Sequence, residues 1–141
     1  MIDKIKQLCK TANPDYDFHY QSLLDENYQT QLENVGNKFV FLEEQKDGYF
    51  TQGYTLRKTT NIILYVCTMI DALQTDTATK REQIRKQMQQ EFILPFIKAF
   101  ANSDLNQNSQ TSSIPFETPL PMFDNYAIVE ILTLQVTQNI C

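Results

Sequence analysis

The sequence has 141 residues, of which 42% are hydrophobic and 11% aromatic, and its formal net charge is −5. This composition is typical of a globular protein and excludes a globally disordered chain. The negative charge disfavours a general nucleic-acid-binding protein, because neutralising phosphates requires a positive field. A chain of this length is expected to form a single domain, residues 1–141.

The cysteines predict a reducing compartment. Cys9, Cys67 and Cys141 are odd in number and have no paired spacing, which disfavours a disulfide scaffold and a structural zinc site. Cys67 lies in the most apolar stretch and is expected to be an inert buried thiol. The N-terminus is charged within three residues, and no apolar run reaches the ~18 residues of a membrane span. We therefore expect an intracellular protein without a signal peptide.

The first 36 residues predict two helices on either side of a short strand. Apolar residues recur at helical spacing over 2–9, and this helix is expected to end before Asn13. Aromatic residues at alternate positions of 16–21 predict the strand. A second helical stripe covers 24–35, with Gly36 well placed as its C-terminal cap.

The next segment predicts two strands joined by a loop. The first strand is expected over 38–44 and the second over 54–70, with Asp47 and Gly48 as the turn between them. The second strand has a polar face in its first half, whereas residues 62–69 are largely apolar on both faces. A strand of this length spans on the order of 50 Å. We therefore expect one end of the strand to project from the domain, with its first half exposed on one side and its second half covered.

Residues 76–103 contain the clearest helix. Pro95 lies inside it, removes one backbone hydrogen bond and is expected to bend the helix near Glu91. Burial of its apolar stripe should contribute roughly 1.5–3 kcal/mol per large residue, so this helix is expected to be the main cover of the sheet. The stripe consists of Ile84, Met88, Phe92, Phe96 and Phe100, spaced four apart, and is widened by Ile93 and Ile97.

The C-terminal part predicts a loop, a proline-rich segment and a last strand. The polar tract 102–113 is expected to bury nothing and to form either a mobile loop or a solvated hairpin tip. A strand over 126–138 repeats the pattern of the strand over 54–70, so the two are expected to pair side by side and antiparallel. The predicted fold class is α+β: a mainly antiparallel sheet of about four strands, packed against a long helix, with shorter N-terminal helices.

No residue pattern predicts catalytic, cofactor-binding or metal-binding chemistry. His19 is the only histidine and is interpreted as a packed strand residue rather than a base or a metal ligand. Glu43 and Glu44 would point to opposite sides of a strand, so they cannot form a simple carboxylate dyad. These two residues and the pair Asp25 and Glu26 are interpreted as solvated charges. The three glycines lie in no phosphate-binding loop.

Two groups of residues are candidates for an interface. Adjacent aromatic residues follow the predicted turn, where exposed aromatics favour an interface over a free surface, although folding back over the sheet is the alternative. Four basic residues at the start of the long helix oppose the helix dipole. They form either a solvated helix face or a contact with the acidic N-terminal half of a neighbouring subunit. The candidates are the aromatic residues Tyr49 and Phe50, the helix residues Lys80, Arg81, Arg85 and Lys86, and in addition Arg57 of the predicted second strand.

The element order, together with "GYTLRKTTNIILYV", "REQIRKQMQQEFILPFI" and "FDNYAIVEILTLQV", resembles small bacteriophage or prophage proteins of the head–tail junction. Tail-terminator, or tail-completion, proteins are the nearest likeness. The resemblance implies a non-enzymatic subunit that forms a homo-oligomeric ring, caps the tail tube and contacts the head connector. It also implies assembly in the cytoplasm of a bacterial host, followed by residence in the virion, without cofactors, membrane or specific nucleic-acid binding.

A second hypothesis comes from a different class of protein. The chain would be a monomeric small-ligand-binding module, or a minor enzyme, with a pocket between the long helix and the sheet. Tyr65, Phe92 and Phe96 are the aromatic residues expected to line such a pocket, although core packing explains them equally well.

Overall fold

A computed structural model describes residues 1–21, 38–43, 47–69, 78–106, 114–118 and 127–140. The N-terminal helix and strand were predicted correctly. Asn13, with φ −164°, leaves the helical conformation and ends the helix, and Pro14 follows it. The first elements are α1 (Ile2–Ala12), β1 (Asp17–Gln21), β2 (Lys38–Glu43), β3 (Asp47–Gln52) and β4 (Leu56–Met69).

The remaining described elements form one long helix and two further strands. The long helix consists of α2 (Ala78–Met88), a π-helical turn (Gln89–Ile93) and α3 (Leu94–Ala101). β5 is Phe116–Glu117 and β6 is Ala127–Asn139. The fold is therefore α+β, as predicted.

The described strands form one mixed sheet of six strands, more than the predicted number of about four, and this sheet is mainly antiparallel, as predicted. The strand order is β1-β2-β4-β6-β5, and β3 pairs with β4 beside β2. β1 and β2 are parallel, whereas the other pairs are antiparallel. β4 pairs with β6 from Arg57↔Asn139 to Met69↔Ala127. The predicted antiparallel pairing of the two long strands is thus confirmed.

The long helix covers one face of this sheet. Its predicted stripe is buried at Met88, Phe92, Phe96 and Phe100 and partly buried at Ile84. The rings of Phe92 and Phe96 stack at 5.6 Å between centroids. These residues pack in one core with the sheet residues on the same face, which are Val40, Leu42, Ile62, Leu64, Val66, Ile128, Leu132, Leu134 and Val136.

The opposite face of the sheet carries a second buried cluster. Both faces are therefore buried where β2, β4 and β6 lie side by side, as the apolar pattern over 62–69 predicted. Cys67 is fully buried, and this burial raises the pKa of its thiol well above the ordinary value. The second cluster consists of Phe39, Phe41, Tyr65, Cys67, Ala127 and Val129.

The predicted turn at Asp47 and Gly48 is wrong. Both residues belong to β3, and the chain reverses over 53–55 before β4 begins. A Cβ atom at position 48 would overlap the carbonyl oxygen of Thr59 on the neighbouring strand. Gly48 therefore permits the close approach of β3 and β4. A glycine can be required for such close packing of strands as well as for a turn.

The polar tract 102–113 was also misjudged in part. Leu105 is fully buried within the core on the helix-covered face. Its carbonyl oxygen accepts a 3.0 Å hydrogen bond from the N–H of Thr137, and Asn106 forms a parallel bridge with the same residue. The beginning of this tract is thus held against β6, because one apolar residue within a polar segment suffices as an anchor.

Several predictions lie outside the described residues. These are the second helix with its cap at Gly36, the acidic residues Asp25, Glu26 and Glu44, residues 107–113 of the polar tract, and Cys141.

Candidate assembly site

The shape of the long helix depends on Pro95. Pro95 has no N–H to donate to the carbonyl of Glu91, and its ring would collide with that carbonyl in a regular α-helix. The chain widens into the π-helical turn at this point, where the N–H of Leu94 donates to the carbonyl oxygen of Gln89. Such single turns occur within helices, often at functional sites. From the sequence, Pro95 was expected to remove one backbone hydrogen bond and bend the helix near Glu91. The structure shows a π-helical turn at that place.

The side chain of Glu91 fixes this part of the helix to the N-terminal elements. Lys38 donates to Oε2 of Glu91 at 2.8 Å, and Gln87 donates to Oε1 at 2.8 Å. The hydroxyl of Tyr16 lies 3.4 Å from Oε2. The hydrogen bond from Lys38 is the largest of the effects that lower the pKa of Glu91, with a smaller contribution from Gln87. The network orients the helix over the sheet.

A groove of about 330 Å³ lies between the long helix and the β5–β6 edge of the sheet. Its volume is at the lower end of the range of small-ligand pockets, roughly 300–1,000 Å³. Leu94 is 45% exposed and Phe116 is 72% exposed, so the apolar part of the groove opens to solvent. The apolar lining is completed by Ile93, Ile97, Ile114 and Leu132, and the polar lining consists of Glu82, Arg85, Lys86, Gln89 and Glu130.

The polar end of this groove contains a buried carboxylate. Glu130 of β6 is only 8% exposed. The hydroxyl of Thr118 lies 3.1 and 3.0 Å from its two oxygens, and Nε of Arg85 lies 3.4 Å from Oε1. Burial raises the pKa of Glu130, and the effects of Thr118 and Arg85 oppose this rise without cancelling it. The ion pair joins the helix to the sheet at the floor of the groove.

The β3–β4 hairpin lies on the side of the sheet away from the groove, where β3 pairs with the same edge of β4 as β2 does. All six residues of β3 are exposed, and among the described strands β3 pairs with β4 alone. Phe50 is 67% exposed, Tyr49 is also exposed, and Tyr54 in the turn is fully exposed. Nζ of Lys58 lies 5.9 Å from the centre of the Phe50 ring. We call this element, residues 47–61, the aromatic hairpin.

The candidate aromatic residues are exposed, but they do not lie at a hairpin tip as predicted. Tyr49 pairs with Thr59 and Phe50 with Lys58, so they point to opposite faces of β3. Arg57 lies nearer the turn, paired with Thr51 on one side and Asn139 on the other. Exposure of both aromatic side chains argues against the alternative in which they fold back over the sheet.

The four basic candidates all lie on α2, but the structure separates them into two pairs. Arg85 and Lys86 line the groove, whereas Lys80 and Arg81 lie nearer the start of the helix, outside its lining. Both groove cations have carboxylate partners within the same chain. Arg85 lies beside Glu130, and Nζ of Lys86 lies 3.5 Å from Oε1 of Glu82. A partner subunit is therefore not needed to supply anions to these two cations.

The aromatic residues predicted to line a pocket do not line this groove. The ring of Phe92 packs against Tyr16 and Phe96 within the core. Tyr65 lies on the opposite face of the sheet, where its hydroxyl donates to Oε2 of Glu43 at 3.3 Å. Glu43 is buried, so its interpretation as a solvated charge was wrong. A buried tyrosine partner stabilises a carboxylate that an isolated strand would expose.

His19 lies in β1 and packs against an aromatic neighbour, as the sequence suggested. Its ring meets the ring of Phe39 edge to face, with 6.2 Å between centroids. Burial lowers the pKa of His19, although Asp17 opposes this shift.

The groove residues Glu130, Leu94 and Phe116 were missed by the sequence analysis. Glu130 carries a recognisable signal, because it is the one charged residue within the apolar stretch "AIVEILTL", and a charge on a buried strand requires a partner. No sequence pattern marks Leu94 or Phe116 as exposed, because the exposure of a single apolar residue depends on which residues pack beside it.

Comparisons with protein-family models and with curated proteins found no match to this chain. Within the described ranges, no cluster of three or more potential metal ligands is present. None of the described helices combines the length and hydrophobicity that are needed to cross a membrane.

Proposed function

We propose that this chain is a structural subunit that assembles with copies of itself through its aromatic hairpin. The observation that carries the proposal is the aromatic hairpin: a fully exposed edge strand with two large aromatic side chains. Unpaired backbone groups on such an edge recruit another chain, and proteins that remain monomeric usually blunt it. Exposed aromatic residues add the contact chemistry that is enriched in interfaces.

The proposed assembly is a ring of the kind formed by phage tail terminators. The order of elements and the resemblance of three segments support this role. In it, the ring caps the tail tube in a bacterial host, contacts the head connector and remains in the virion. No acid–base, metal or cofactor chemistry is required, since binding surfaces alone perform the function.

Sedimentation velocity over a concentration series tests self-assembly. We expect the wild-type protein to form a discrete oligomer and Phe50→Asp to shift it towards monomer, because a buried charge opposes association. Tyr20→Asp is the matched control: it replaces another partly exposed aromatic residue, on β1, and should leave the oligomer unchanged. A wild-type protein that stays monomeric at every concentration would refute the proposal.

The position of the gene in its genome tests the phage assignment separately. Genes for virion proteins adjacent to it, such as those for a tail tube and a head connector, would support the assignment. A gene placed among metabolic genes would count against it.

Binding of a small ligand is the second candidate function, and the groove favours it. Open apolar walls beside a buried carboxylate and an arginine would suit an amphipathic molecule. A monomeric protein that binds a metabolite, with binding lost in Leu94→Asp, would favour this function over assembly.

A further inference from the structure

We propose that the groove between the long helix and the β5–β6 edge receives the aromatic hairpin of a second copy of this chain. This inference rests on the proposed function and specifies its contact. The hairpin supplies exposed aromatic side chains, and the groove supplies exposed apolar walls.

The sheet topology places the two surfaces on opposite sides of the molecule. β6 occupies one edge of β4 along nearly its full length, so β3 lies on the other edge, beside β2. β5 extends the sheet beyond β6. Two different surfaces at opposite edges produce a heterologous, head-to-tail contact, which closes into a ring when the rotation allows. A twofold contact pairs one patch with the same patch of its partner, so it would need only one of these two surfaces.

The exposed apolar side chains match this arrangement. Of the seven large hydrophobic residues exposed in the described ranges, three belong to the hairpin and two border the groove. Scattered single residues would need no explanation, but grouped exposed aromatics mark interaction sites. Phe50 and Tyr54 are the inserting side chains, whereas Leu94 and Phe116 form the walls that receive them.

The hairpin carries cations, and the groove lining includes one exposed carboxylate, Glu82, beside the cations Arg85 and Lys86. The returning strand of the hairpin carries Arg57 and Lys58, and the side chain of Glu82 in the groove lining is 68% exposed. Pairs of opposite charge at the rim of an interface fix the register and accelerate association more than they increase affinity. The apolar insertion therefore supplies most of the affinity, and the rim charges select the orientation.

A complementation experiment tests the contact, because a head-to-tail contact uses different residues on its two sides. Phe50→Asp damages the hairpin but leaves the groove intact, whereas Leu94→Asp damages the groove but leaves the hairpin intact. Both side chains are exposed, so both variants should fold, which circular dichroism verifies. Each variant alone should associate at least about tenfold more weakly than the wild type.

An equal mixture of the two variants should form a heterodimer with one intact contact, detected by sedimentation velocity. Neither variant alone should form a dimer at the same total concentration. Phe116→Asp provides a second groove variant and should behave like Leu94→Asp. Gln83→Asp is the matched control, because Gln83 is exposed on the same helix but does not line the groove; it should assemble like the wild type.

The outcomes separate this inference from the proposed function. If the wild type assembles and both groove variants assemble equally well, the hairpin binds elsewhere, and only the inference is overturned. If the mixture fails to form the heterodimer although each variant is folded, the inference is also overturned. A wild type that never assembles refutes both, and ligand binding in the groove of that monomer would identify a small molecule as its occupant.

Discussion

The side-chain amide of Asn13 lies 3.3 Å from the backbone carbonyl oxygen of Glu91 and donates a hydrogen bond to it. In a regular α-helix this oxygen would accept from residue 95, which is a proline without an N–H. The residue that ends α1 therefore supplies a donor to the long helix at the place where proline removes one. This contact joins two elements that are far apart in the chain.

Loss of the Asn13 donor should destabilise the fold. We expect Asn13→Ala to lower the free energy of unfolding by about 1 kcal/mol, because the carbonyl loses a hydrogen bond. Asn13→Asp keeps the oxygen that accepts from the N–H of Asp15, but it has no N–H to donate to Glu91. This variant should therefore also be less stable than the wild type. Urea denaturation measures both. An Asn13→Asp protein as stable as the wild type would show that the bond to Glu91 contributes nothing.

The ion pair between Lys38 and Glu91 should stabilise the fold modestly. Both side chains are about one-third exposed, so we expect a coupling energy of roughly 0.5–1 kcal/mol in low salt. A double-mutant cycle with Lys38→Met and Glu91→Gln measures it. Because the folded state lowers the pKa of Glu91, this stabilisation is present above the unfolded-state pKa, ordinarily 4.5. It is lost as the pH falls through the lower folded-state pKa. A coupling energy that persists in strong acid would contradict the ion pair.

Gly48 and Gly53 form a matched pair of glycines in one hairpin. Gly48→Ala should destabilise the protein by about 1–3 kcal/mol, because the new methyl group would overlap the backbone of β4. Gly53→Ala should be nearly neutral, since a Cβ there meets no atom within 4 Å. Thermal and urea denaturation of the two variants tests the difference. Equal stabilities would show that β3 can move away from β4 at no cost.

The buried carboxyl of Glu130 should make stability depend on pH in the opposite sense to Glu91. Its pKa is higher in the folded state than the ordinary 4.5, so the folded state binds the proton more tightly. The contribution of Glu130 to the free energy of unfolding therefore decreases as the pH rises from the unfolded-state pKa to the folded-state pKa.

The substitution Glu130→Gln should remove this pH dependence. We expect the stability of the variant relative to the wild type to increase as the pH rises above about 4.5. Urea denaturation across the acidic to neutral range measures the difference. Glu117→Gln, an exposed residue of the adjacent strand, is the control and should follow the wild type. A relative stability that stays constant or falls with pH would contradict the raised pKa.

Two large features of the core could be predicted from the residue pattern alone, namely the long helix and the pairing of the two long strands. The fourfold spacing from Ile84 to Phe100 predicts a helix with one buried face, and the matching apolar patterns of the two long strands predict their pairing. These predictions were confirmed because periodicity reports directly which faces exclude water. The spacing of apolar residues along a helix or a strand is a local property of the chain.

The surfaces available for function, by contrast, arise only when the elements pack together. The sequence suggested a turn at Gly48, whereas close packing of two strands is what requires glycine there. It gave no sign that Leu94 and Phe116 stand beside the buried pair of Arg85 and Glu130. Exposure, close approach and pairing of charges depend on neighbours that are distant in the chain. A groove is therefore a property of packing between elements, whereas a helix or a strand is largely encoded within its own residues.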